Sequence, residues 1–312
     1  VTTNQNNTTV TDDLTLYGLF ALFLRNWLIL TVSGFSFAIL ALVWSLGQPN
    51  IYTAKTLLMP AGDDSGGLGG LAGSLGGLAA VAGVSLPEGK TDNTKLALEL
   101  IETQVFLGEF IEENDLVLPI MAAEGWDEAS NKLIIDPEKY DEATSTWVRK
   151  PKAPRKVIPS TQETYEELKK LISVEQDPKS KFVTISVDFY SPYLAAKWVD
   201  GLVEKLNESI RLRDKQEATE SITYLEKLSQ DSNVQGLRST FSSLMEEQIK
   251  SRMLAEVRKD YVFKIVDPAV VPELKSKPKR SIIVVVAGFI GGIIGIIIVL
   301  FRSGRKAYLA SN

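Results

Sequence analysis

The sequence predicts an α+β domain with a long helical arm, flanked by two transmembrane helices. Three observations lead there. Two apolar runs long enough to cross a bilayer stand towards the two ends of the 312 residues. Between them are short runs that alternate with the period of a strand. Among these lies one helical pattern, over about residues 192–258, broken once. The divisions expected are a tail over 1–26, a first membrane helix over 27–46, a base with its arm over 47–280, a second membrane helix over 281–301 and a tail over 302–312.

Composition narrows the chemistry. A formal charge of −5 leaves no basic excess of the kind that tracks nucleic acid. The sequence has neither cysteine nor histidine. A disulfide framework, a zinc site of the Cys/His type and a Ser-His-Asp or Cys-His nucleophile are therefore excluded. Carboxylate pairs remain, but no spacing among them suggests acid–base work. No catalytic, cofactor-binding or metal-binding residue is expected.

The first apolar run has no charged residue between Trp27 and Leu46, with Arg25 before it and Gly47, Gln48 and Pro49 after. Its length suits a bilayer, and Trp27 and Trp44 lie near its ends, where interfacial tryptophans sit. A cleaved leader would have a shorter apolar core and a small-residue cleavage site. No A-x-A follows Leu46, so an uncleaved anchor is expected.

Residues 51–59 (IYTAKTLLM) read as a short strand. Residues 62–89 carry glycine every two to four positions, a density that disfavours helix and strand. A mobile loop is expected there. It lacks the G-K-[ST] ending of a phosphate cradle. Residues 91–115 read as one helix capped by Thr91 or Asp92, and 119–147 have no clear period. Over 148–160, Pro151, Pro154 and Pro159 stand among Arg149, Lys150, Lys152, Arg155 and Lys156. The simplest reading is an extended, solvated surface loop.

Ser160 or Thr161 caps a short helix ending at Leu171. Over 182–189, Val183, Ile185, Val187 and Phe189 alternate with polar residues, as in a half-buried strand. Ser191-Pro192 then gives a strong helix start. Val199, Leu202, Val203, Leu206 and Ile210 form its apolar stripe, and 211–220 are nearly all polar. A helix polar all round either projects into water or bundles through charges. After a break near 232–236, a return helix is expected to pack through Val234, Leu237, Phe241, Leu244, Ile249 and Met253. Residues 261–266 form a last strand.

The approach to the second apolar run reads PAVVPELKSKPKR. Pro268, Pro272 and Pro278 make it an extended strut. Lys275, Lys277, Lys279 and Arg280 fall where basic side chains meet lipid headgroups, and anchoring is a simpler role for them than lipid-carrier binding. Residues 282–301 then give a helix of roughly 30 Å. Gly288, Gly291, Gly292 and Gly295 lie at offsets of three, four and seven on one face of it. Glycines so placed let another helix approach closely. Charge does not orient the loop: Arg25 faces Lys55 across the first helix, and the long central segment escapes the positive-inside rule.

These residues resemble the Wzz chain-length determinants, the class 1 polysaccharide co-polymerases of Gram-negative inner membranes. The family signature has two prolines, then Ser-Pro-Lys, eleven residues and Gly-x-x-x-Gly. Here Pro268 and Pro272 supply the first pair, Pro278-Lys279 follow, and eleven residues on come Gly291 and Gly295. Three residues rather than two separate Pro268 from Pro272, and Lys277 stands where serine is usual. The segments ALELIETQVFLGEFIEEND, DFYSPYLAAKWVDGLVEKLNESIR and FKIVDPAVVPE are also similar to the family.

The resemblance implies a periplasmic α+β domain, cytoplasmic termini and a ring of copies, commonly eight. It implies a non-enzymatic role in setting the modal length of lipopolysaccharide O-antigen, a lipid-linked polysaccharide, with the Wzy polymerase as partner. The glycine face would meet a neighbouring subunit or that polymerase. Control of enterobacterial common antigen or exopolysaccharide, or a capsule-export adaptor, are the alternatives. Kinase-type relatives carry G-x-x-x-x-G-K-[ST] beyond the second helix; this sequence has none, and that activity is not expected of it.

Overall fold

The computed structural model describes residues 25–61, 91–231 and 235–310. The glycine-rich stretch over 62–89 and part of the break near 232–236 lie outside the described residues. The chain divides into two units, one made of Val1–Pro49 with Lys277–Asn312 and the other of Asn50–Ser276.

The second unit is α+β. Strand β1 (Tyr52–Pro60) takes the place expected of it. Helices α2 (Thr91–Leu100), α3 (Gln104–Glu113) and α4 (Val117–Ala122) follow. The single helix expected over 91–115 is thus two. Thr103 is the reason: its backbone turns extended (φ −75°, ψ 148°), and its hydroxyl accepts the Phe106 N–H at 3.3 Å. A capping threonine inside an apolar period that continues on both sides is easily read through. The break lets Ile101, Phe106, Leu107, Phe110 and Ile111 all enter the core.

The stretch without a clear period forms two small hairpins, β2 (Ala123–Asp127) with β3 (Lys132–Ile135) and β4 (Tyr140–Asp141) with β5 (Thr146–Trp147). An aspartate organises each turn. Asp127 accepts the N–H groups of Ala129 and Ser130, and Asp141 that of Ala143. Such Asx turns need only the local sequence.

Ser160 caps α5 (Thr161–Leu171), accepting the Glu163 N–H at 3.2 Å. Strand β6 (Ile172–Gln176), absent from the sequence reading, hairpins onto β7 (Val183–Phe189). Only two of its five residues are apolar, so its own pattern is too short to announce a strand. The main sheet has the order β6-β7-β1-β8 and is antiparallel throughout, with β8 at Phe263–Asp267. On β7 the alternating Val183, Ile185, Val187 and Phe189 are buried. They face the core together with Ala54 and Leu58 of β1.

Helix α6 (Pro192–Asp231) packs on β1 and β7. Its stripe of Val199, Leu202, Val203, Leu206 and Ile210 is at most 2% exposed. At 1.5 Å per residue its 40 residues span roughly 60 Å. Helix α7 (Gln235–Val257) returns along it. The polar stretch 211–220 is bundled through charges. Lys215 pairs with Glu256 at 2.5 Å, and Asp214 accepts from Asn93 and from the Tyr261 hydroxyl. Burial, aided by that contact, raises the Tyr261 pKa well above its usual range.

The expected stripe on α7 holds at Phe241 and then runs out of phase; Val234 and the Leu237 side chain lie outside the described residues. Leu244, Ile249 and Met253 are exposed, whereas Phe241, Met245, Gln248 and Ala255 turn inward. These inward steps of four, three and seven follow a 3.5-residue repeat, as in a coiled coil. Reading apolar side chains alone missed it because Gln248 occupies one inward position.

The basic segment 148–160 is not simply solvated. Arg149 is only 11% exposed and makes a bidentate ion pair with Glu163, at 2.5 and 2.7 Å. Its remaining N–H groups donate to the carbonyls of Lys156 and Val157, both at 2.7 Å. One guanidinium thus closes the segment on itself. The Arg149 hydrogen bonds hold the Glu163 carboxyl below its usual pKa, outweighing the upward push of burial.

A buried asparagine fastens the hairpin to the sheet. Asn207 on α6 accepts the N–H groups of Val262 and Phe263 at 2.9 Å and donates to the Phe263 carbonyl at 3.0 Å. It completes β8 where, among the described residues, no further strand is paired. We expect Asn207→Leu to leave two buried N–H groups bare, at about 1–3 kcal/mol each. Denaturant unfolding of the full chain in detergent measures this. A loss under about 0.5 kcal/mol would mean that both groups find other partners.

The Arg149–Glu163 pair predicts a pH dependence. A depressed carboxyl stabilises fully above its ordinary value of 4.5 and loses that contribution as pH falls through its lower folded value. Glu163→Gln should therefore be less stable at pH 7, by about 3–5 kcal/mol for a broken buried pair. The gap to the unaltered chain should narrow below pH 4.5 in melts taken from pH 7 to 3. A gap constant with pH would refute this.

Candidate functional site

The first unit holds α1 (Trp27–Leu46) and α8 (Arg280–Ala310), which pack on each other. Both are long and apolar enough to cross a membrane, over Trp27–Leu46 and Arg280–Arg302. Large side chains such as Phe35, Phe289 and Phe301 point outward, 70–77% exposed. Helix α8 continues past residue 301, where a tail was expected, through the basic residues that follow.

The glycine face of α8 meets α1 of the same chain. A Cβ on Gly291 would lie 2.8 Å from both the Phe37 Cβ and the Ser33 carbonyl oxygen. One on Gly295 would come within 3.2–3.3 Å of Ser33 and Leu30, and one on Gly288 within 3.7 Å of the Ala38 Cβ. Gly292 differs, since a Cβ there would meet nothing within 4 Å. The close line is therefore Gly288, Gly291 and Gly295, extended by the buried Val299.

The Ser33 hydroxyl crosses the gap and donates to the Gly291 carbonyl at 2.7 Å. Its partner is a backbone group already inside the helix, so the hydroxyl is satisfied without opening a turn. Gly34 meets α8 from the other side, where a Cβ would lie 3.4 Å from the Gly288 oxygen. Sequence reasoning did not single out Ser33, Gly34 or Ala38. A signal was present: Ser33, Gly34, Ala38, Ala41 and Ser45 recur at helical steps along one side of α1.

The proline approach has no regular structure. Pro268 is exposed, and Pro272 and Pro278 are half-buried. Its first part is fastened to the second unit. Lys275 donates to Asn50 at 3.2 Å, and the Ser276 N–H donates to the Ile51 carbonyl at 2.9 Å. The Ser276 hydroxyl lies 2.6 Å from that of Thr53, which in turn hydrogen-bonds Asp188. Lys277 and Lys279 are exposed. Arg280 is half-buried, with its guanidinium on the Gln48 carbonyl at 3.4 Å. Among the described residues no group of three or more Asp or Glu side chains is placed to hold a metal ion.

Residues 222–304 match a family model described as the G-rich domain on putative tyrosine kinase. No curated protein sequence matches the chain. Among solved structures, it is similar to a full-length bacterial polysaccharide co-polymerase, at 13% identity and a TM-score of 0.39, covering 94% of this chain and 99% of that one. It is also similar to a fragment of WzzB, the polysaccharide co-polymerase of Salmonella Typhimurium, at 12% identity and a TM-score of 0.31, covering 73% and 99%.

The glycine seam can be tested by cross-linking, because the chain has no cysteine of its own. The 3.7 Å between the Ala38 Cβ and a Cβ on Gly288 suits a disulfide. The double variant Ala38→Cys/Gly288→Cys should form one within a single chain on mild oxidation. Adding Gly291→Leu should suppress the link, and adding Gly292→Leu should leave it. Cross-linking only between chains would give the glycine face to a neighbouring copy instead.

Proposed function

We propose that this chain is a two-pass inner-membrane polysaccharide co-polymerase. In this reading it sets the modal length of a lipid-linked polysaccharide, foremost lipopolysaccharide O-antigen, without itself making bonds. One observation carries it. The stretch matched by the family model, residues 222–304, contains the return helix α7, strand β8, the prolines Pro268, Pro272 and Pro278, and the glycine helix in unbroken succession. That is also where the sequence resembles the co-polymerase signature.

The remaining parts have roles in the same reading. Asn50–Ser276 is the periplasmic domain, with both termini cytoplasmic. Copies assemble as a ring, an octamer by resemblance, and a Wzy-type polymerase is the enzymatic partner. The exposed apolar side chains on the α7 surface, Ile249, Met253 and Val257 among them, suit contact between copies. Lys275, Lys277, Lys279 and Arg280 meet headgroups. Gly288, Gly291 and Gly295 keep the two membrane helices paired, which holds the strut in register for ring or polymerase contacts.

Lipopolysaccharide banding tests the proposal directly. A strain lacking the gene should lose its modal cluster of bands, and complementation should restore it. Gly291→Leu/Gly295→Leu should shift or broaden the cluster. Banding unchanged on deletion would refute O-antigen as the polymer, and the same comparison would then be made on common antigen, exopolysaccharide and exported capsule.

A further inference from the structure

We propose that the cleft between the closed basic segment and α5 binds an anionic saccharide, a sugar whose carboxylate or phosphate is held by Lys150 and Lys152. The cleft has a volume of about 710 Å³. That lies within the range of small-molecule sites and far exceeds what a single inorganic anion fills. Its floor includes Ile120, Met121 and the half-buried ring of Tyr190. Apolar side chains beside a phenol suit the C–H faces and hydroxyls of a sugar ring.

Charge selects the ligand. Five cationic side chains line the cleft against two carboxylates. Three of the five are engaged: Arg149 with Glu163, Arg155 with Glu163 and Glu166, and Lys139 with Asp136. The second lining carboxylate, Glu167, pairs with Lys170. Lys150 and Lys152 have no carboxylate partner among the described residues, and both are exposed at the cleft. Their charge is available to a ligand.

A merely solvated run of charges would not need the local architecture seen here. Arg149 closes the segment by binding the carbonyls at 156 and 157, and the backbone N–H groups of Val148 and Arg149 donate to the Lys139 carbonyl. Pro151 and Pro154 restrict the backbone between. Lys150 and Lys152 thus project from a backbone already ordered before any ligand arrives, which lowers the entropy cost of binding. The choice of a saccharide over other anionic molecules rests on the proposed function; the anion preference rests on the cleft alone.

The test is a calorimetric titration of the full chain in a neutral detergent. Three probes are used: a tetrasaccharide of 1,4-linked uronate, the neutral 1,4-linked glucose tetrasaccharide, and inorganic phosphate. The uronate should bind and weaken as salt rises, because screening acts on exposed charge. The glucose tetrasaccharide and phosphate should bind at least about tenfold more weakly. Lys150→Glu/Lys152→Glu should lose at least about tenfold in uronate affinity. The control Lys179→Glu/Lys197→Glu, an equal change of charge at other exposed positions, should not.

No uronate binding, or binding unaffected by the cleft pair, overturns the proposal. Phosphate binding as tightly as uronate overturns the saccharide assignment. The two readings fail separately. Uronate binding with banding unchanged on deletion would refute only O-antigen length control, and absent binding with altered banding would refute only the cleft.

Discussion

The chain enters and leaves its α+β unit at one place, and much of the structure follows from that. Ile51, just before β1, accepts the N–H of Ser276, the last residue of the unit. Thr53 on β1 meets the same serine's hydroxyl and is itself held by Asp188 on β7, so two strands fix the spot. Two apolar helices that begin from neighbouring points must either splay or pack. Apolar side chains gain nothing by leaving lipid for one another, so packing there depends on backbone proximity. Gly291 and Gly34 permit that proximity, and the Ser33 hydroxyl adds a directed bond across it.

Local features were the legible ones. Period-two alternation shows β7, and Ser191-Pro192 marks the start of α6, because each signal is complete within a few residues. The glycines of α8 named a face but could not name its partner. The matching side of α1 is some 250 residues away in sequence, and no local pattern joins the two. The phase of α7 past Phe241 failed for a related cause. Which of two adjacent faces packs was decided by the partner helix, and it admitted Gln248 while leaving Met253 out. Thr103 failed in the opposite way, as a local cap hidden inside a longer period.

The basic segment shows how composition misleads about charge. Five cations among three prolines read as a solvated run. In the structure they divide by depth. Arg149 is withdrawn from water, and its charge organises the segment through Glu163 and two carbonyls. Lys150 and Lys152, its near neighbours, remain free of carboxylates among the described residues. Arginine suits the inner place because its planar fork can hold a carboxylate and two carbonyls at once. Lysine, a mobile point charge, suits the outer one.

The arm divides along its length in the same manner. Where α6 lies on the sheet, its stripe is buried almost completely, and Asn207 ties it to β8. Past residue 211 the hairpin has little apolar surface to exchange. Ala218, Ile222 and Ala255 are buried, but Phe241, Met245 and Gln248 are only half so. Charged pairs such as Lys215–Glu256 add little at an exposed surface. A hairpin of that kind is weakly held by its own contacts while Tyr224, Ile249, Met253 and Val257 stay exposed. Association with other copies, as the proposed ring requires, would bury those side chains and supply the stability that the isolated hairpin lacks. Assembly and an ordered arm would then be one equilibrium, with the firm sheet at its base as the fixed part.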